Sequence, residues 1–204
     1  GFFYNPSVFE EAGVAIPTSW DELKASCDTF NAAGITPISL GSMNRWPAQF
    51  WFDYLLLRTA GPEYRAALMA GDASYADPEV VRVMEMWAEL AAMDCFTADA
   101  NAFDWTDAAD QVANGEAAMN LMGTWITGYW NGNGLEPVAD YDVFEFPVID
   151  EGGTTAVVGP VDGLVSAASA ANPEAAAALI GALAQPDAQT TWAVGQGAMP
   201  PNVN

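Results

Sequence analysis

Three tryptophans, Trp46, Trp105 and Trp125, sit where the chain changes character, each beside polar or small residues: Asn44-Arg45-Trp46-Pro47, Phe103-Asp104-Trp105-Thr106 and Gly123-Thr124-Trp125. Indoles at loop–helix junctions project into clefts, and loops held by a rigid scaffold are where binding groups concentrate. The chemistry open to such a set is recognition of a pyranose. Its face of C–H groups stacks on a flat indole, and its rim of hydroxyls is met by carboxylates and amides. Asn44, Asn101, Asp104 and Asp162 supply those polar groups. For each indole taken alone, ordinary packing at an element boundary is the competing reading. Trp20, Trp87 and Trp192 instead follow helical stripes with other apolar residues and are expected in the core.

Asp104, Asp107 and Asp110 recur every three residues and so share one helix face. Two carboxylates on one face suggest glycoside hydrolysis, in which an acid and a base or nucleophile flank the bond. The plainer reading is a capping aspartate followed by acids that the helix dipole favours in the first turn. Asp99 and Asn101 start like a calcium loop, but the glycine and terminal glutamate of that motif are missing, so no metal is expected. The chain has no histidine, which excludes a Ser-His-Asp triad, a Cys-His pair and a histidine zinc site. No Walker loop, GxGxxG or GxSxG motif occurs, and neither a cofactor nor a catalytic residue is expected.

The 204 residues are just over half apolar, enough for one sizeable core or two small lobes. Twenty-seven acidic residues face five basic ones, a formal charge of −22, with Lys24 the single lysine. Such a surface repels phosphate backbones and anionic lipid, so nucleic acid and direct membrane insertion are excluded as partners, and a neutral ligand is favoured. No stretch approaches the ~18–20 apolar residues of a membrane span. Cys27 and Cys95 have no metal-ligand spacing. They either pair, as an exported protein allows, or remain thiols that pack as small hydrophobes.

The elements that position these groups can be read in order. An aromatic strand, GFFYN, leads into a short helix opened by Asn5-Pro6 and ended near Gly13. Ser19 and Glu22 form a capping box, and Trp20, Leu23, Cys27 and Phe30 follow as a buried stripe. ITPISL is a strand of near-continuous apolar character, expected in a covered sheet. The helix RWPAQFWFDYLLLRTAG is apolar around its circumference and must be deeply packed or face a cleft. Pro62 opens another short helix. Asp77-Pro78-Glu79 opens a further one that places Val80, Met84, Trp87 and Ala91 on one face. Asp104 begins the next helix, AAMNLM is a strand, and GTWITGYW turns back into a helix. DVFEFPVI and VDGLVSA read as strands, Asn172-Pro173-Glu174 caps an alanine-rich helix, and Pro186 starts the last. Short strands interleaved with more numerous helices define an α/β class. Both chain ends, GFFYN and GQGAMPPNVN, read as interior sequence, and a longer chain is expected.

In this order the segments resemble a known family. YNPSVFEEAGV with IPTSWDEL, AAGITPISLG, WPAQFWFDYLLLR with AGPEY, ANGEAAMNLMGTW, GPVDGLVSAASAANPEAA and GAMPPN together resemble the family 1 extracellular solute-binding proteins of ABC sugar importers, and among them the glucose- and mannose-type binders. The resemblance implies a periplasmic-binding-protein-like (type 2) fold of two α/β lobes joined by hinge strands. Residues 1–204 would be the second, C-terminal-type lobe, helix-rich with a short-stranded sheet and with hinge segments; the first lobe and terminal helices would be absent. It implies a neutral mono- or small oligosaccharide ligand, an ABC permease as partner, and a periplasmic or extracellular, or lipid-anchored, location. By the same resemblance Trp105, Trp125 and Asp162 contact the sugar, with Trp46, Asn44 and Gly163 as softer transfers. The alternatives are a glycoside hydrolase fragment using Asp104 and Asp107, and a sugar-sensing partner of a chemoreceptor or sensor kinase.

Overall fold

A computed structural model describes residues 1–199, and the Pro-Pro-Asn part of the closing motif lies outside the described residues. The chain divides into two compact units, described separately below. Unit one is Gly1–Gly123 with Leu135–Val158, and unit two is Thr124–Gly134 with Gly159–Asn204.

Unit one is built on a sheet of four short strands in the order β2-β3-β1-β4, with β1 Phe2–Tyr4, β2 Thr36–Ser39, β3 Ala117–Leu121 and β4 Asp142–Phe144. β2 and β3 are parallel, and β1 pairs antiparallel with both β3 and β4. All five residues of β3 are buried, as expected of a strand covered on both faces. Helix α1 (Pro6–Ala12) is capped by Asn5, whose side chain accepts from the Ser7 and Val8 amides, and it ends at Gly13 in the left-handed region (φ 66°). Helix α2 (Trp20–Ala32) starts on the expected capping box of Ser19 and Glu22, and Trp20, Leu23, Cys27 and Phe30 are all buried. Helix α3 (Trp46–Ala70) is interrupted at Gly61 (φ 84°, ψ 170°), where Pro62 opens the second segment. Arg65 of the second segment donates to the buried Asp53 of the first at 2.9 Å, which fixes the bend. Residues 53–58 are buried in succession, so the apolar circumference of this helix does mark deep packing.

The core is strongly aromatic. Phe2 lies 5.6 Å from Trp51 edge-on and 5.1 Å from Phe144 in a stack, while Tyr54 stacks on Phe146 at 5.0 Å. Helix α4 (Pro78–Ala92) departs from the expected face. Val80, Val83 and Leu90 are buried with Trp87 half-buried, whereas Met84 is half exposed and Ala91 exposed. Val80 and Trp87 fit a helical stripe through either Val83 and Leu90 or Met84 and Ala91, and packing selected the first. Cys27 and Cys95 form a disulfide with a Cα–Cα distance of 5.3 Å and both residues fully buried, which resolves the open alternative.

Arg82 of α4 grips Asp150 with two 2.7 Å bonds, and this holds the Asp150 carboxyl below its usual range. A depressed carboxyl stabilises the fold above its unfolded pKa, and that contribution fades as pH falls through the folded value. Both side chains are nearly half exposed, so Asp150→Asn is expected to cost no more than ~1 kcal/mol at neutral pH. Urea midpoints of the two proteins measured from pH 7 down to pH 2.5 should converge at the acid end.

Unit two holds α6 (Trp125–Gly132), α7 (Pro173–Leu183) and α8 (Pro186–Gln196). Gly128 of α6 lies against the backbone of Gln196, so close that a Cβ would collide with it. The Asn172 side chain accepts from the Ala175 amide and caps α7. Two corrections fall here. VDGLVSA forms no strand, because among the described residues no neighbouring strand supplies a hydrogen-bond ladder. Trp192, expected in the core, is 64% exposed. Its helical stripe is real, but α7 and α8 bury no residue fully, since a pair of short helices cannot cover an apolar face.

Candidate functional site

β2 and β3 run parallel, so the loops that follow them leave from the same end of the sheet in unit one. Open α/β sheets place ligand sites at that carboxyl end. After β2, residues 40–44 pair with residues 97–104. Ser42 and Met43 donate their amides to the carbonyls of Ala100 and Phe103 at 2.9 and 3.0 Å, and the Ser42 hydroxyl bonds the Asn101 carboxamide oxygen at 2.9 Å. The Asn44 carboxamide donates to the Asp104 carboxylate at 2.9 Å. Trp46 opens α3, and its amide bonds the Asn44 carbonyl at 2.8 Å.

Asp104 is the N-cap of α5 (Trp105–Ala113) and forms a capping box with Asp107, whose carboxylate accepts from the Asp104 amide at 2.8 Å. The outcome is a pair of half-buried indoles, Trp46 and Trp105, with ring centroids 6.3 Å apart and planes inclined at 57°. Phe50 supports Trp46 edge-on at 5.8 Å. The amide–carboxylate pair, Asn44 with Asp104, is made by residues two and one positions before the two tryptophans. Apolar ring faces next to charged and amide oxygens form a surface for a molecule with both an apolar face and hydroxyls.

Three of the six residues singled out from sequence, Asn44, Trp46 and Trp105, are therefore brought together although Trp46 and Trp105 are far apart in the chain. The other three belong to unit two. Trp125 is the first residue of α6, two positions after Gly123, and is half-buried; Asp162 and Gly163 lie on an exposed stretch with no regular structure. Asp104 and Asp107, the pair considered for hydrolysis, are both engaged at the start of α5. No group of three or more metal-binding side chains occurs among the described residues, and none of their helices is long and apolar enough to cross a membrane.

One residue of the site escaped the sequence reading. Gly41 sits where the 40–44 loop meets the start of α5, and a Cβ there would overlap the Asp104 carbonyl and come within 3.0 Å of the Trp105 amide nitrogen. A glycine directly after a buried strand signals such a close approach.

Known proteins resemble the chain in sequence and fold. An ABC transporter extracellular-binding protein of Pyrococcus horikoshii is 32% identical over 202 residues, which is 98% of this chain and 44% of the relative. The chain thus spans under half the length of that relative. The crystal structure of the bacterial solute receptor AcbH, described as having an exclusive preference for β-D-galactopyranose, is 33% identical; the match covers 76% of this chain and 39% of that one, with a TM-score of 0.69. A chitin oligosaccharide binding protein superposes over 98% of this chain and 51% of its own with a TM-score of 0.80 at 22% identity, a likeness of fold. Residues 1–190 match the model of the bacterial extracellular solute-binding proteins, and the chain belongs to that family.

Proposed function

We propose that the chain is part of the receptor of an ABC importer that captures a neutral mono- or small oligosaccharide outside the membrane, without turning it over, and passes it to the permease. The observation that carries this reading is the Trp46–Trp105 pair together with the Asn44–Asp104 bond, both made by the loop that follows β2 and the start of α5. An inclined indole pair presents ring faces to sugar C–H groups, and the neighbouring amide and carboxylate oxygens meet the hydroxyls. Trp125, Asp162 and Gly163, carried by unit two, are proposed as further sugar contacts. Capture then follows the general logic of closure, driven by the ligand's greater affinity for the closed state. The scarcity of cations on a chain of charge −22 supports a neutral ligand. A buried disulfide and the exported relatives support a periplasmic or extracellular location, with a lipid anchor as a further proposal. Glycoside hydrolysis is disfavoured because Asp104 and Asp107 already cap α5 and hold Asn44.

A stacked indole contributes ~0.5–1.5 kcal/mol beyond its buried area. Trp105→Ala and Trp125→Ala are therefore each expected to raise Kd tenfold or more in the full-length receptor. Tryptophan fluorescence titrated with a panel of neutral sugars checks this. A saturable change for one sugar, weakened in both variants and without product formation, supports the reading. Unchanged affinity in both variants refutes the site, and turnover of an aryl glycoside refutes the binding role.

A further inference from the structure

In the interior of unit one, two hydroxyls converge on a single carboxamide oxygen. Gln111 Oε1 accepts from the Ser39 hydroxyl at 2.8 Å and from the Thr97 hydroxyl at 3.0 Å, and the Thr97 oxygen in turn accepts from the Leu40 amide at 3.2 Å. Ser39 is 1% exposed, and Thr97 and Gln111 are half-buried. Acceptors are scarce at this place. Asn120 pairs with Ser39 in register, so their side chains share a face of the sheet, and its buried amide nitrogen has no partner among the described residues. A buried hydroxyl stripped of its acceptor costs more than the bond itself contributes, so the two donors hold the Gln111 oxygen firmly.

The segments joined in this way are the ones that carry the indole pair. Ser39 ends β2, and Leu40 directly precedes Gly41, whose backbone meets that of Asp104. Thr97 begins the stretch 97–104 that pairs with residues 40–44. Gln111 lies in α5 six residues after Trp105, about 9 Å further along the axis, and a helix this short moves as one rod. The Asn44–Asp104 bond also ties the loop to α5, but it is exposed, and water competes for both of its partners.

We infer that Gln111 is a positioning residue: its carboxamide oxygen locks α5 to the end of β2 and to the Thr97 segment, and so sets the distance and inclination between Trp46 and Trp105. This role stands on hydrogen bonds within unit one; its consequence for sugar rests on the receptor reading above. The requirement is an accepting oxygen rather than the volume of a glutamine. Glutamate offers accepting oxygens at the same place, whereas methionine fills a similar volume with only a weak acceptor.

The test uses the full-length receptor without sugar, so its failure is separable from failure of the receptor reading. Indoles 6.3 Å apart and inclined at 57° couple their ultraviolet transitions, and the resulting circular-dichroism couplet depends steeply on both quantities. Spectra of the parent, Trp46→Phe, Trp105→Phe and the double variant isolate that couplet as their non-additive part, and the same set is recorded in each Gln111 background. Gln111→Met is expected to lower the couplet by half or more, and Gln111→Glu to retain most of it. An unchanged couplet in Gln111→Met with a cooperative urea transition overturns the inference, as does an equal loss in Gln111→Glu. If Gln111→Met does not fold, Thr97→Val, similar in shape but lacking one donor to Gln111 and the Leu40 acceptor, should lower the couplet in the same direction, and no change there overturns the inference. Titration with the panel of neutral sugars gives the consequence for binding, where Gln111→Met is expected to raise Kd about tenfold. A diminished couplet with an unchanged Kd supports the positioning role and removes the sugar from these indoles.

Discussion

Gly41→Ala is expected to abolish the sugar-dependent fluorescence change, a loss of more than a hundredfold in affinity, from the addition of one carbon. The alanine Cβ would overlap the Asp104 carbonyl, and backbone cannot yield as the end of a flexible side chain would. The 40–44 loop and the start of α5 must then separate. That movement breaks the bonds of Ser42 to Ala100, Met43 to Phe103 and Asn44 to Asp104 together, and it carries Trp46 away from Trp105. Positioning errors of about 1 Å are enough to cost ~100-fold where several groups must act on one ligand. Gly132→Ala serves as the control, since a Cβ there meets nothing within 4 Å. Titration of both variants in the full-length receptor decides the matter. If Gly41→Ala binds within about threefold of the parent, the ligand does not lie on this loop.

The second large effect concerns stability. The Cys27–Cys95 disulfide joins α2 to the segment after α4 across a sequence separation of 68. Chain-entropy arguments give a cross-link closing a loop of that size about 4 kcal/mol. That is a large share of the ~5–15 kcal/mol that a domain has in total. Replacing both cysteines by alanine is expected to lower the urea midpoint by about 2 M, given the usual dependence of stability on denaturant. Unfolding and refolding the parent chain with reductant should give the same shift. Both sulfur-bearing residues are fully buried, so reductant added to the folded chain should act slowly. Coincident urea curves with and without reductant would show that the bond carries no stability. A cross-link of this kind also suits the oxidising compartments in which exported receptors work.

How much of this was legible varies with the range of the interaction involved. Most caps were, because each is a local hydrogen bond between a side chain and a nearby amide, although Asp77, also read as a cap, gives its carboxylate to Tyr64 and the Ser74 amide instead. Asn5, Ser19 with Glu22, Asp104 with Asp107 and Asn172 all behave as read. The α2 stripe was legible as well, since Trp20, Leu23, Cys27 and Phe30 have one consistent helical register. The face of α4 was not, because Val80 and Trp87 fit two registers and only the packing against the core chose Val83 and Leu90 over Met84 and Ala91. Trp192 shows the same limit from the other side, as an apolar stripe states a preference for burial but not what covers it.

The sequence by itself determined the class of fold, the order and ends of the helices, the charge that favours a neutral ligand, and the residue types available to meet a sugar. These follow from composition and from interactions within one or two turns of chain. Tertiary structure alone decided that Cys27 meets Cys95, that Arg58 is buried on the carbonyls of residues 146–156, and that Trp46 and Trp105 share one surface through the backbone approach at Gly41. Those juxtapositions join residues that are tens of positions apart. Closing such loops is an entropic cost that no local pattern encodes and that only the packing of the complete core repays.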